Sequence, residues 1–323
     1  MRLLITGGTG FIGATLCQLL VQHGHEPVVL TRLPQAQPPQ AGVQFLSWQA
    51  DEWRRAMNEV GGVVNLAGES IAAKRWSPRQ KHLIQESRVE TTRFVIEAIA
   101  TASRKPAVLI SASAIGYYGA RGDEEIVETD PPGRGFLAET CQAWEEAARQ
   151  AERFGVRVVR LRIGLVLGQG GGALAKMAPP FRAYVGGPLG SGRQWVSWIH
   201  RDDVIGLVAW ALTRPDVSGA VNATAPNPVT MAALCRGLGQ TLGRPSWAPV
   251  PAVVLRLALG EMAQMLLTGQ RVIPRIALEA GYVFRFPWLN AALEACLKPV
   301  KGEGSRMKTM ISTAPCEASA RTE

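Results

Sequence analysis

The chain has 323 residues, 47% of them hydrophobic and 19% charged, with a formal net charge of +9, a length with ample core for one large or two modest domains. Its cysteines (Cys17, Cys141, Cys235, Cys296 and Cys316) are odd in number, scattered and without ligand spacing, which excludes a disulfide framework or zinc site and fits a reduced, cytoplasmic setting. The positive balance permits acidic partners, but the densest basic run, Lys74 to His82, has no nucleic-acid reader motif beside it and continues through Arg88 and Arg93 as a solvated helix face, so no nucleic-acid partner is expected.

Residues 3 to 13 run an apolar strand, Leu3 to Ile5, into a glycine-rich turn and then a helix from about Phe11 to Gln22. Gly8, Gly10 and Gly13 fit G-x-G-x-x-G, and Gly7, Gly10 and Gly13 fit a looser spacing. Between a strand and a helix, this pattern predicts a dinucleotide site, with the helix start at Phe11 and Ile12 receiving a pyrophosphate. The second strand, Val28 to Leu30, leads to Thr31-Arg32, and no acid occurs from Val28 to Gln44. An acid there would accept from a ribose 2′-hydroxyl, whereas Arg32 suits a 2′-phosphate, so the expected cofactor is NADP(H).

Further apolar runs, Val63 to Leu66, Val108 to Ile110 and Val156 to Leu161, alternate with helical stretches such as Ser87 to Thr101 and Ala138 to Phe154. That order predicts an α/β fold, a doubly wound parallel sheet of the Rossmann kind. After Gly168, glycine-rich segments flank Lys176 to Tyr184, and a helix over Val204 to Leu212 is expected to be capped by Asp202 and Asp203. The expected organisation is a dinucleotide domain over 1–168 and 200–224 and a smaller lobe over 169–199 and 225–297 that closes on a ligand. Residues 298–323 lose periodicity and read as a disordered tail. The apolar stretch Val250 to Leu267, interrupted by Arg256 and Glu261, is too broken to span a membrane and reads as a packed or partner-facing helix, which leaves a homodimer open. No signal peptide is expected from the opening residues.

Four segments together resemble the extended short-chain dehydrogenase/reductases of the NAD-dependent epimerase/dehydratase type. They are Thr6 to Gly13, Asn65 to Gly68, Ser111 to Gly119 and Trp198 to Asp203. More narrowly, Asn65 to Ser70, Gly187 to Gln194 and Gly269 to Pro274 resemble its atypical, poorly characterised epimerase-like branch with a distinctive C-terminal domain, over about residues 1–297. The resemblance implies that Gly7, Gly10 and Gly13 form the pyrophosphate turn and Arg32 the 2′-phosphate contact. Asn65, Ala67 and Gly68 would line the adenosine side, and Ser113 would hydrogen-bond the reacting oxygen of a substrate. It also implies a Tyr-x-x-x-Lys pair on the following helix, the tyrosine as acid/base and the lysine holding the nicotinamide ribose. Aligned on Glu145, those positions are Leu137 and Cys141. An asparagine expected after the sixth strand is replaced near Leu165.

Several residues are candidates for the missing chemistry. Tyr117 and Tyr118 follow Ser113 at the end of the sheet where ligands bind, either as a proton donor or as loop filling. Cys141 reads as a packed thiol or a reactive one. His200 is a structural histidine or a substrate contact, and Arg193 is an anion contact or a solvated side chain. The expected function is an NADP(H)-binding epimerase-like oxidoreductase acting on a small polar substrate, sugar-nucleotide-like or otherwise. The alternative is a catalytically silent NADPH-binding regulator or scaffold.

Overall fold

The computed structural model describes residues 1–298, so the expected tail beyond Lys298, with Cys316, lies outside the described residues. In chain order the first half comprises β1 (Arg2–Thr6), α1 (Gly13–Gln22), β2 (Glu26–Thr31), β3 (Gln44–Ser47), α2 (Glu52–Ala56), β4 (Gly62–Asn65), α3 (Pro78–Thr101), β5 (Val108–Ala114), β6 (Glu125–Ile126), α4 (Phe136–Arg149), β7 (Arg157–Ile163) and β8 (Leu165–Leu167). There follow α5 (Leu174–Arg182), β9 (Trp195–Val196), β10 (Trp198–His200), α6 (Arg201–Thr213), β11 (Gly219–Ala223), β12 (Val229–Thr230), α7 (Met231–Leu242), α8 (Ala252–Leu259), α9 (Gln264–Leu267), β13 (Arg271–Val272), α10 (Arg275–Glu279) and α11 (Leu289–Leu297).

Seven strands pair in the order β11-β7-β5-β4-β1-β2-β3, all of them parallel. The chain leaves β1 for β2 on one side and returns to β4 on the other, so the crevice for a ligand opens at the carboxyl ends of β1 and β4. Register brings Thr6 beside Asn65 and Asn65 beside Ser111, which places the polar ends of β1 and β4 and the middle of β5 in one row.

Alternation along β1 sends Leu3 and Ile5 to one face and Leu4 to the other. The first face packs on Leu16 and Leu20 of α1 and Val204, Leu207 and Val208 of α6. The second packs on Val95 and Ile99 of α3 and Ala148 of α4. Each of the buried valine, leucine and isoleucine side chains contributes about 1.5–3 kcal/mol by leaving water. A separate core gathers Phe181 of α5, Trp198 of β10, Leu234 of α7 and Leu293 of α11.

Several elements differ from the sequence expectation. The strands β3 and β11 carry no long apolar run: β3 is a four-residue edge strand and β11, Gly-Ala-Val-Asn-Ala, is mostly small. The helix expected from Ser87 begins at Pro78, because Ser77 caps it by accepting from the Gln80 amide and proline at the first position is pre-set for a helix. Its first turns are polar, which hid them from periodicity. The stretch 250–267 is broken rather than one helix, since Gly260 adopts φ +62 after α8. Among the described residues no helix is long and apolar enough to cross a membrane, and no cluster of three potential metal ligands occurs.

Candidate functional site

The glycine turn resolves into three different jobs. Gly7 has φ +69, and a Cβ on it would lie 2.7 Å from the Leu66 carbonyl carbon, so only glycine fits there. A Cβ on Gly13 would lie 2.2 Å from the Gly7 carbonyl oxygen, so its absence lets α1 seat against the turn. Gly10 is exposed, and its nearest neighbour to a built Cβ is the Gly7 oxygen at 3.2 Å, leaving its outer side open for a ligand phosphate. Gly8 instead packs on Val29, which favours the Gly7, Gly10, Gly13 spacing over the Gly8 one. The helix starts at Gly13, so Phe11 and Ile12 belong to the turn, and the Phe11 ring is enclosed by Gly168, Gly171 and Gly172 with the Arg201 guanidinium 5.0 Å away.

Arg32 follows the last residue of β2, exposed and without an ion pair or side-chain hydrogen bond among the described residues. Asn65 is fully buried: its Oδ1 accepts from the Thr6 hydroxyl at 2.6 Å, and its Nδ2 donates to Thr92 at 2.8 Å and Ser111 at 3.3 Å. Its side chain therefore ties β1, β4, β5 and α3 together, while the loop after it carries Ala67 and the exposed Gly68 to the crevice. The Ala67 amide is held by the Thr6 hydroxyl at 3.1 Å.

Beside Gly68 stands a residue that sequence reasoning put on a solvated face. The Arg88 guanidinium carbon lies 3.1 Å from where a Gly68 Cβ would be and 5.3 Å from the Trp144 ring of α4. One of its amino groups donates to the Ile84 carbonyl at 2.8 Å, and it forms no ion pair among the described residues. Arg93, by contrast, pairs with Glu90 on the surface at 2.6 Å. A helix position one turn before the buried Thr92 was the available signal.

Ser113 ends up buried, and its hydroxyl donates to Glu145 Oε1 at 2.7 Å. The same carboxylate is gripped by Arg162 through Nε at 2.8 Å and Nη2 at 3.0 Å and by Arg160 at 3.1 Å. Bidentate, charge-assisted contacts of this kind fix both partners. Arginines two apart in the strand Arg-Val-Val-Arg-Leu-Arg-Ile were a signal the sequence offered and the expectation did not use.

The two tyrosines separate cleanly. Tyr118 is wholly buried, donates to Asn222 Oδ1 at 2.7 Å and accepts from Arg162 Nη1 at 2.9 Å. Burial pushes its phenol up to about 12 even against Arg162, so it holds its proton at neutral pH and serves the packing of this end of the sheet. Tyr117 is half-buried, its ring 3.5 Å beneath the Arg162 guanidinium carbon, and its hydroxyl makes no hydrogen bond among the described residues. Of the two hydroxyls, that of Tyr118 is engaged twice and that of Tyr117 is unengaged among the described residues. Glu128 joins the network from the loop after β6, accepting from the Asn222 amide at 3.0 Å and the Ile276 amide at 3.3 Å, and burial raises its carboxyl.

Leu137 and Cys141 on α4 face the start of the segment after β5, where a Cβ on Gly116 would lie 3.3 Å from Leu137 and 3.8 Å from the Cys141 sulfur. Burial, with the Glu145 charge behind it, pushes the Cys141 thiol up to about 11. It is a packed thiol rather than a thiolate.

His200, not the two aspartates, caps α6: its Nδ1 accepts from the Asp202 amide at 3.1 Å. The capping expected of Asp202 and Asp203 fails because Asp203 is turned inward, accepting from the Arg285 amide at 2.7 Å and the Phe286 amide at 2.9 Å, while Asp202 pairs with Arg285 at 3.1 Å. His200 is buried against the Phe286 ring, with centroids 4.0 Å apart, and desolvation lowers it to about 4, so its imidazole is neutral. Arg193 is exposed on the Gly190 to Gln194 loop, where its amide meets Ser191 Oγ at 3.2 Å and its guanidinium has no partner among the described residues.

A parallel sheet with a glycine turn at its switch point and an inward-facing polar row beside it defines a Rossmann-type dinucleotide-binding protein of the extended short-chain dehydrogenase/reductase class. The chain belongs to the NAD dependent epimerase/dehydratase family, whose model matches residues 3–223, and residues 250–296 match a domain of unknown function, DUF1731. It is 44% identical over 304 residues to the chloroplastic epimerase family protein SDR39U1 homolog of Arabidopsis thaliana, covering 92% of this chain and 87% of that one. The crystal structure of human epimerase family protein SDR39U1 with NADPH is similar at a TM-score of 0.83 and 38% identity, covering 91% of this chain and 98% of that chain. A nucleoside-diphosphate sugar epimerase of Corynebacterium glutamicum is similar at a TM-score of 0.73 and 33% identity, over 91% of this chain and 58% of that chain. The atypical branch with its own C-terminal domain, expected from the motifs, is the one these matches define.

Proposed function

We propose that this protein is an NADP(H)-binding epimerase-like oxidoreductase for a small polar substrate, held at the carboxyl edge of the sheet under the lobe built on α5, α7 and α11. The observation that carries the cofactor choice is Arg32, an exposed guanidinium without a partner among the described residues, one position beyond β2 and with no acid nearby in the chain to accept from a ribose hydroxyl. The open outer side of Gly10 and the NADPH with which the human relative was crystallised support the same reading. When bound, the nicotinamide supplies reversible hydride transfer. The chain's part is to orient the substrate with Ser113 and to pass a proton from Tyr117, the one tyrosine of the pair whose hydroxyl is not spent within the described residues.

A specific observation favours a second reading, a silent NADPH-binding regulator. Leu137 and Cys141 stand where the family's tyrosine and lysine are expected, and the Ser113 proton is already given to Glu145. Titration calorimetry with NADPH and NADH tests the shared part. Wild type should prefer NADPH, and Arg32→Asp should weaken NADPH by about 1.5–3 kcal/mol, the size of a lost charge-assisted hydrogen bond, with NADH little changed. Equal wild-type affinities refute the cofactor choice, and consumption of bound NADPH by any member of a carbonyl panel excludes the silent reading.

A further inference from the structure

Arg88 is a cation without a job in any of the roles above. It projects from α3 into the angle between the strand-end loop at Gly68 and helix α4 at Trp144, one turn beyond Cys141. The Cys141 thiol and the Glu69 carboxylate are the titratable groups whose charge it feels, yet neither forms an ion pair with it. A guanidinium has five N–H donors. Here, among the described residues, hydrogen bonding engages the group only at the Ile84 carbonyl. Its remaining donors reach the surface beside an exposed glycine, where the oxygens of a ligand can meet them.

We infer that Arg88 replaces, from the opposite helix, the cation lost at Cys141, and that its guanidinium fork holds the hydroxyls of the nicotinamide ribose. The inference rests on the NADP(H) reading. A lysine at position 141 would have approached the ribose from α4, and Arg88 reaches the same angle from α3 by lying along Trp144. The planar fork suits two neighbouring oxygens better than a point charge does. The cation–π contact with Trp144, 5.3 Å from the guanidinium carbon to the ring centre, steadies that fork without any carboxylate. Arg88 is on this view a cofactor-positioning residue, and it makes the absence of lysine at 141 compatible with an ordered nicotinamide.

The test compares two probes by titration calorimetry: NADPH, and 2′-phosphoadenosine 5′-diphosphate, which keeps the adenosine and both bridging phosphates but has no nicotinamide ribose. Arg88→Met, which preserves the apolar stem, should weaken NADPH about tenfold or more and leave the second probe within about twofold. Arg88→Lys should recover part of the loss, and Arg32→Asp should weaken both probes. If Arg88→Met weakens the two probes equally, or neither, the assignment is overturned. Should Arg88→Met fail to fold by circular dichroism, Arg88→Gln and Arg88→Lys carry the same comparison, and their outcomes support or overturn the assignment in the same way. Failure of wild type to bind NADPH overturns the cofactor reading and this one with it, whereas wild-type binding with an indifferent Arg88 overturns this one alone.

Discussion

The cap of α6 makes a pH-dependent contribution whose size and direction can be worked out. His200 is 5% exposed, its Nδ1 lone pair accepts from the Asp202 amide, and Phe286 covers the ring. The folded protein therefore binds a proton there only near pH 4, because desolvation outweighs the attraction of Asp202 and Arg201 and Arg285 add repulsion. In the unfolded chain the same imidazole takes its proton near 6.5. As pH falls through 6.5 the unfolded state is protonated first, so stability present above that value is lost progressively and levels off below about 4. At about 1.4 kcal/mol per tenfold change in proton affinity, the loss amounts to about 3 kcal/mol. His200→Asn is the informative change, since Asn Oδ1 occupies the place of Nδ1 and is a strong cap in its own right.

The variant should lose about 1–2 kcal/mol at neutral pH from the missing ring contact, and the gap to wild type should close or invert as pH falls from 6.5 to 4.5. Asp203 acts in the opposite sense: burial raises its carboxyl to about 6, so its protonated form is favoured in the fold and stability declines as pH rises from about 4 to about 6. Because both proteins keep Asp203, the difference between their urea midpoints across pH isolates the histidine. A difference constant from pH 7.5 to 4.5 would refute a buried neutral cap at this position.

Two further expectations follow from the glycine turn and the buried tyrosine. Gly13→Ala drives a methyl into the Gly7 carbonyl and should lower the unfolding free energy by about 1–3 kcal/mol or more; Gly10→Ala should melt like wild type yet bind NADPH weakly by calorimetry, and the reverse pattern would mean that the turn has been read in the wrong register. Tyr118→Phe leaves Asn222 Oδ1 without its donor and should cost about 1–3 kcal/mol in urea unfolding with NADPH affinity intact, whereas Tyr117→Phe should leave stability near wild type; equal stability losses would remove the distinction drawn between them.

The strand-turn-helix opening was legible because its signals are local: an apolar run, glycines at fixed spacing and a cation at the next strand end all lie within one short stretch of chain. The same holds for β5 and β7, whose apolar runs are long enough to stand out. Edge strand β3 and small-residue β11 were not legible, since a strand of four residues with polar neighbours, or one of alanine and glycine, takes its conformation from the sheet it joins and not from its own propensity. The capping of α6 was misassigned for a related reason. Asp202 and Asp203 are the better caps in isolation, and only the distant segment at Arg285 and Phe286 draws Asp203 away and leaves the amide of Asp202 to His200.

The chemistry at the sheet's edge was illegible in a deeper sense, because its partners are far apart in sequence. Glu145 served only as a landmark for aligning α4, yet it is the centre of the arrangement, joined to Ser113, Arg160 and Arg162. A carboxylate held by two guanidiniums accepts and does not donate, so the single Ser113 proton is committed to it and the lone pairs of Ser113 are what remain for a ligand. A serine so arranged receives a hydrogen bond from a hydroxyl or amine more readily than it gives one to a carbonyl. Of the two arginines that fix Glu145, Arg162 also meets both tyrosines, lying 3.5 Å from the Tyr117 ring and bonded to the Tyr118 hydroxyl. Two guanidiniums flank this edge, Arg162 of β7 paired with Glu145 and Arg88 of α3 without an ion pair among the described residues. With Leu137 and Cys141 at those positions, α4 supplies no tyrosine-lysine pair, and the cations at this edge come instead from β7 and α3.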